Sequence, residues 1–256
     1  MNRVAVAAII AAAGASRRMG GVKKEYQALP GGKTDEAGKP LTVLGAAALA
    51  FAAVSRIGAL ALVFPPDREG PAGQPCPNPG AEEAALRSSL PKALFQRERP
   101  RLCFVSGGAS RRASIHRALT ALAPCCPAYV LIHDGARPWI GADLIERVLQ
   151  AVLIHQAVIP VLPLVETPKE LNPDGRVIRH LRRAQVGIAQ TPQAFAYPAI
   201  LQAHEQAAIQ AAETGIEYTD DAEVWGAFQG PVIGIPGALQ NRKITFPEDL
   251  APEGRP

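Results

Sequence analysis

Three short segments of this chain carry residue types that could hold and polarise phosphate. Residues 11–20 read Ala-Ala-Ala-Gly-Ala-Ser-Arg-Arg-Met-Gly, and residues 107–111 read Gly-Gly-Ala-Ser-Arg. Small side chains let backbone N–H groups approach phosphate oxygens closely, and Arg or Lys neutralises the charge. The first segment is neither a GxxxxGK(S/T) loop nor GxGxxG, because Ser16 stands where a second glycine would be. By residue type alone it is open between a phosphate loop and an ordinary strand-to-helix turn with solvated arginines. The third segment is His133-Asp134-Gly135-Ala136-Arg137-Pro138. A carboxylate at a strand end, flanked by Gly and Ala, suits Mg²⁺ held together with phosphate oxygens; a turn-capping Asp is the alternative. Arg137 reads as a phosphate ligand or a surface ion pair, and His133 as a packed core histidine. His116, His155, His180 and His204 have no metal-ligand spacing. Asp220-Asp221 reads as the cap of a following helix rather than a hydrolytic pair. No GxSxG elbow or HExxH is present, so serine-hydrolase and zinc-protease chemistry has no foothold.

Strands must bring these segments together. Val4 to Ala12 is a continuous apolar run of the kind that forms a central parallel strand. Further strands are expected at 59–64, 102–105, 129–133 and 157–162, with a short one at 232–235 and the end of another near Ile244-Thr245. Helices are expected at 41–56, 81–97, 110–122, 142–155, 198–213 and 220–228. This alternation predicts an α/β fold, a doubly wound, mostly parallel sheet, with the three segments at one edge beyond the strand carboxyl ends. Residues 31–39 and the proline-rich stretch at 65–80 are expected to be loops. Residues 163–190 are long for a connection inside one compact domain and are expected to project as an arm.

Composition limits the rest. The 256 residues suit one large α/β domain or two small ones; the reading adopted is one domain over 1–256. The net charge of +4 comes with clusters at Arg17, Arg18, Lys23 and Lys24, at Arg111 and Arg112, and at Arg179, Arg182 and Arg183. That excess fits an anionic small molecule. Aromatics make up only 5%, so no stacking platform for bases accompanies it, and no nucleic-acid partner is expected. The thiols of Cys76, Cys103, Cys125 and Cys126 form no CxxC pair and are expected to be reduced, in the cytoplasm. The start of the chain has features of a short signal peptide, but a buried first strand feeding a basic loop accounts for more of its residues. No apolar stretch approaches the roughly 20 residues of a spanning helix, so no membrane partner is expected.

Taken in order, the segments resemble the 2-C-methyl-D-erythritol 4-phosphate cytidylyltransferases of the non-mevalonate isoprenoid pathway. The series is IIAAAGASRRMG (9–20), KEY (24–26), SGGASRRASI (106–115), VLIHDGARP (130–138), ETPK (166–169), AQTPQAF (189–195), TDDA (219–222) and NRKITFPEDLA (241–251). The resemblance implies a Rossmann-like nucleotidyltransferase fold, a homodimer, and transfer of CMP from CTP to the polyol phosphate with release of pyrophosphate. It implies that Ala12, Ala13 and Gly14 line the nucleotide, and that Gly108 and Ser114 read the cytosine edge. Arg18 and Lys24 would hold the triphosphate, and Asp134 would support Mg²⁺. Ala136 and Arg137 would lie near the acceptor. Thr167 and Arg183 would reach the acceptor phosphate from a neighbouring subunit's arm, and Thr191 and Lys243 would complete that pocket. Two other activities stay open at this level: a cytidylyltransferase for another polyol phosphate such as ribitol 5-phosphate, and a nucleotide-binding regulator without catalysis.

The chain departs from the family pattern at several points. Ala11 and Lys23 stand where proline is usual, Ser16 where glycine is, and Ala109 where an Asp is common. Gly135 replaces an alanine, and the loop before Lys24 is one residue shorter. If that loop is extended, neighbouring side chains alternate sides. Lys24 is then expected to face the triphosphate with Tyr26 beside it, and Lys23 to face solvent.

Overall fold

A computed structural model describes residues 6–67 and 78–251 of the chain. Cys76 and residues 68–77 of the proline-rich stretch lie outside the described residues, as do Val4 and Ala5 of the expected first strand. The first strand, β1 (Val6–Ala11), is buried along nearly its whole length. It pairs in parallel with β2 (Ile57–Phe64) on one side and with β4 (Tyr129–Asp134) on the other. Beyond β2 lies β3 (Arg101–Ser106), also parallel. Beyond β4 the order continues through β9 (Gln193–Ala196), β5 (Ala157–Pro163) and β10 (Ile233–Pro236). β9 runs antiparallel to both its neighbours, and β8 (Gly187–Ala189) adds antiparallel to β5.

Helices cover both faces because the strands alternate which side each residue serves. Val6, Ala8 and Ile10 pack with Leu44 and Phe51 of α1 (Val43–Ala52) and with Leu144 and Val148 of α5 (Ala142–His155). Ala7 and Ile9 face the other way, toward α4 (Arg111–Leu122), α6 (Tyr197–Thr214) and α7 (Asp221–Phe228), meeting Ile115, Leu119, Ile200 and Trp225. A sheet buried on both sides needs near-continuous apolar strands, which β1 and β2 supply. The fold is thus the doubly wound, mostly parallel sheet that the alternation of elements predicts.

Four expectations need correction. The helix expected over 81–97 is two pieces, α2 (Ala81–Ser89) and α3 (Lys92–Phe95). Pro91 separates them: Leu90 before it is forced to extended backbone, and the ring cannot continue the helix. The helix expected over 41–56 runs only over Val43–Ala52, its start set by Thr42, which caps it by accepting from the Gly45 amide. β9 was not anticipated. Ile244-Thr245 forms no strand; the Ile244 amide instead donates to the Ala136 carbonyl at 2.8 Å. Within residues 163–190, β6 (Lys169–Leu171) and β7 (Val177–His180) pair as a separate two-stranded sheet, while β8 belongs to the main sheet beside β5.

Candidate active site

Register brings the chemistry to one edge. Ala11 at the end of β1 lies level with Asp134 at the end of β4 and with Val63 of β2, which in turn lies level with Val105 of β3. The loops that follow β1, β3 and β4 therefore open on the same crevice, at the place in the sheet where such folds bind ligands. Their close approach depends on two glycines. A Cβ on Gly107 would lie 2.6 Å from that of Ala13, and one on Gly135 would lie 3.0 Å from the Ala11 carbonyl and 3.3 Å from the Ala12 Cβ.

Asp134 is buried and ringed by cations. Its Oδ2 meets Lys243 Nζ at 2.8 Å and Arg137 Nε at 3.5 Å, while Oδ1 faces the Arg111 guanidinium at 3.9 Å. Burial alone would raise its pKa, but Lys243, Arg111 and Arg137 outweigh it and hold the carboxyl well below the usual carboxylate range. Asp134 is therefore an ionised group and no proton carrier at neutral pH.

Beneath it runs a relay of hydrogen bonds that fixes its position. The Asp134 amide donates to Thr191 Oγ1 at 3.1 Å, and that hydroxyl lies 3.0 Å from His133 Nδ1. His133 Nε2 lies 3.1 Å from the Arg137 carbonyl. A carbonyl only accepts, so Nε2 carries the hydrogen and Nδ1 accepts from Thr191. Burial pushes His133 down to about 4, keeping this tautomer neutral. The histidine is the core residue its sequence context suggests, and it acts as a brace.

The segment 241–245 closes one side. Asn241, fully buried, donates from Nδ2 to the Thr191 carbonyl at 2.7 Å, and its own carbonyl accepts from Arg137 at 2.8 Å. Lys24 is buried and donates to the Ile244 carbonyl at 2.7 Å. Desolvation lowers its pKa; the nearby charges of Lys243 and Arg18 push the same way, while Glu25 and Asp134 oppose them. Arg18 is exposed, its guanidinium 5.7 Å from the Phe246 ring centroid.

The expected residues thus divide. Ala12, Ala13, Gly14, Lys24, Asp134, Ala136, Arg137, Thr191 and Lys243 converge on this edge, with Arg18 beside them. Gly108 and Ser114 lie at the start of α4, where the Gly108 amide donates to Ser114 Oγ at 3.0 Å and that hydroxyl donates to the Ser110 carbonyl. Thr191 supports Asp134 from below, its hydroxyl already engaged. Thr167 and Arg183 lie within residues 163–190, both exposed, with Arg183 donating to the Val165 carbonyl at 2.6 Å.

Lys23 corrects the sequence expectation. Its ammonium does not face solvent: it donates to the carbonyls of Ala12 and Gly14, each at 2.6 Å, and lies 3.7 Å from Glu25. The backbone is a 3-10 turn over Lys24–Tyr26 rather than an extended run, so strict alternation does not apply, and Tyr26 packs by Lys23, 5.6 Å from ammonium to ring centroid. Three further residues escaped sequence reasoning. Arg111 was visible in its motif but had no partner to define it. Asp221, read with Asp220 as a capping pair, is fully buried and binds Arg111 at 2.8 Å, with His204 at 3.2 Å behind it; Asp220 alone caps α7. Asn241 carried no signal beyond its place in the last motif.

One carboxylate suits a metal whose remaining ligands are phosphate oxygens. Asp134 Oδ1 accepts no hydrogen bond among the described residues, and its ion pair with Arg111 is long, at 3.9 Å, which leaves that oxygen able to coordinate. Among the described residues no group of three or more His, Cys, Asp or Glu could cage a metal alone. The residues fit a Mg²⁺ that arrives with a nucleotide.

The chain matches the family model for 2-C-methyl-D-erythritol 4-phosphate cytidylyltransferase (IspD) over residues 6–253. It is 36% identical over 251 residues to the bifunctional enzyme IspD/IspF of Bradyrhizobium sp. (strain BTAi1), covering 96% of this chain and 55% of that protein. It is 37% identical to the Rhodospirillum rubrum protein of the same name over 247 residues, with 96% and 55% covered. The chain spans about half the length of these curated relatives. Among solved structures it resembles 2-C-methyl-D-erythritol 4-phosphate cytidylyltransferase from Thermus thermophilus, with TM-score 0.66, 28% identity, and 96% and 95% of the two chains covered. It also resembles 4-diphosphocytidyl-2C-methyl-D-erythritol synthase from Anaerococcus prevotii, with TM-score 0.72, 25% identity, and 96% and 94% covered. The chain belongs to the 2-C-methyl-D-erythritol 4-phosphate cytidylyltransferase family.

Proposed function

We propose that this protein transfers CMP from CTP to 2-C-methyl-D-erythritol 4-phosphate and releases pyrophosphate. The observation that carries the reading is the electrostatics of the crevice: one ionised carboxylate set among Lys243, Arg137 and Arg111, with Lys24 alongside. In this reaction an acceptor phosphate oxygen forms a bond to the α-phosphorus of CTP, and the bond to the bridging oxygen breaks, its electron pair leaving with pyrophosphate. The attacking oxygen is already an anion, so no general base is needed. The barrier lies in bringing two anions together and stabilising charge at phosphorus, which fixed cations do by position and electrostatics. Lys24 and Arg18 are read as the groups on the triphosphate, Ala12 to Gly14 as the backbone lining, and Arg137 and Lys243 as acceptor contacts. When bound, Mg²⁺ would be held by Asp134 with phosphate oxygens and would neutralise part of their charge.

The test is pyrophosphate release with CTP and either acceptor. Turnover is expected with 2-C-methyl-D-erythritol 4-phosphate. Turnover only with ribitol 5-phosphate would move the chain to the neighbouring activity, and CTP binding without turnover on either would make it a regulator. A cytoplasmic setting, resting on reduced thiols, belongs to the same reading. The described residues contain no helix long and apolar enough to cross a membrane.

Pairing of two subunits through the arm is part of the proposal. The hairpin region exposes Val165, Leu171, Val177, Ile178 and Ile188 together with Thr167 and Arg183. So many large apolar side chains on one projection favour burial against another surface. In a dimer the arm would lend Arg183 and Thr167 to the neighbour's site. Mixing Arg183→Ala and Lys24→Ala proteins should then restore activity, because a heterodimer contains one site with both residues intact. Absence of recovery after verified subunit exchange counts against a shared site.

A further inference from the structure

We infer that Lys23 is a positioning residue that holds the loop after β1 in the conformation that receives phosphate. This rests on the reading of residues 12–15 as a triphosphate loop. The Lys23 ammonium spends two of its three donors on the carbonyls of Ala12 and Gly14. A trans peptide plane puts its C=O and N–H on opposite sides. Drawing the Ala12 and Gly14 carbonyls toward Lys23 therefore turns the Ala13 and Ala15 amides away from it. Among the described residues those amides, and that of Gly14, form no hydrogen bond within the fold, so they are left for an anion. Successive free amides of this kind make an anion-binding concavity.

The clamp reaches the far end of the loop as well. Ser16 Oγ donates to Glu25 Oε2 at 3.4 Å, and the same carboxylate lies 3.7 Å from Lys23. Ser16 has φ 48°, a left-handed conformation that a non-glycine residue adopts only when its surroundings hold it there. Ser16 and Lys23 are two of the positions where this chain departs from the family pattern, and they meet on one carboxylate. Lys23 thus acts through the backbone. A lysine that merely attracted CTP from solvent would keep its donors free, and its effect would fade with salt.

The test is calorimetric titration of CTP, without acceptor, into wild-type protein, Lys23→Met and Lys23→Arg, at low and high salt. Lys23→Met should weaken CTP binding about tenfold, the lower end for hydrogen bonds to a charged group. The ratio to wild type should stay constant as salt rises, and Lys23→Arg, which can still donate to two carbonyls, should recover most of the affinity. In turnover, KM for CTP should rise while kcat stays within about threefold. Unchanged affinity overturns the proposal, as does a ratio that shrinks toward one at high salt. Lys23→Gln, with a shorter neutral donor, serves if the methionine variant folds poorly, and should give an intermediate loss. Inorganic triphosphate is the second titrant. The clamp acts on the phosphate loop whatever acceptor the enzyme uses, so weaker triphosphate binding by Lys23→Met upholds it even where wild-type turnover with methylerythritol phosphate is absent.

Discussion

Replacing Asp134 with asparagine should lower kcat by about two to three orders of magnitude, the range seen when one preorganised electrostatic contact is lost. The substitution keeps the shape and the amide that donates to Thr191, so the brace through His133 survives. What is lost is the negative charge that faces Lys243, Arg137 and Arg111, of which, among the described residues, only Arg111 keeps another carboxylate, Asp221 at 2.8 Å. Lys243 then has at most a neutral amide oxygen in place of its carboxylate partner at 2.8 Å, and the site loses the carboxylate proposed to hold Mg²⁺. CTP affinity measured without metal should not fall, because the variant presents more net positive charge to the triphosphate, but added Mg²⁺ should no longer improve turnover. Stability should drop as well. A carboxyl held below its unfolded value stabilises the fold at pH above that value, and loses the contribution as acid protonates it in the folded state. At neutral pH the wild type enjoys that contribution in full and the asparagine variant lacks it, so the difference in Tm should narrow on acidification. Steady-state kinetics over a Mg²⁺ series, with thermal unfolding at neutral and acid pH, checks both parts. Near-normal turnover at every Mg²⁺ concentration would sink the proposed metal role.

Much of this arrangement is legible in the residues because parallel strands announce themselves. Val6 to Ala11 and Ile57 to Phe64 are apolar throughout, and the register of such strands places their following loops side by side. β9 is hidden for the opposite reason. Gln193-Ala194-Phe195-Ala196 has neither alternation nor length, and its role in the sheet comes from its neighbours β4 and β5. Site residues follow the same division. Asp134 stands at a strand end where a carboxylate has few structural duties. Asp221 sits beside a genuine helix cap, and nothing local separates the two acids. Only the distant approach of Arg111 and His204 gives Asp221 its charged, buried setting. Lys23 fails by backbone geometry: a single 3-10 turn moves it from the expected solvent side to the carbonyls of residues 12 and 14.

That turn also sharpens what Lys24 should do. Lys24→Met is expected to cut kcat by roughly two orders of magnitude, again the scale for one preorganised donor. The ammonium is buried and has one donor fixed on the Ile244 carbonyl at 2.7 Å, which among the described residues leaves two of its three for a ligand. Ile244 is itself tied to Ala136, so Lys24 is held against the same backbone that carries Asp134 and Arg137. Burial and the neighbouring Lys243 and Arg18 make its charge costly in the free protein. A bound triphosphate relieves that cost, and the relief grows as negative charge shifts onto the leaving pyrophosphate. A cation whose interaction strengthens along the reaction lowers kcat when removed, whereas one that binds ground and transition states alike changes only KM. Lys23, with its donors committed to the loop, acts through backbone that binds both states alike, so it should change mainly KM, and the two neighbours should separate cleanly in side-by-side kinetics. The methionine at 24 also strands the Ile244 carbonyl, so some loss of Tm is expected and turnover should be compared well below the transition. Lys24→Arg should restore little, because a planar fork cannot replace a compact ammonium in a buried slot. If Lys23→Met carries the kcat defect and Lys24→Met is benign, the triphosphate lies against Lys23, and the crevice between Lys24 and Lys243 must serve the acceptor instead.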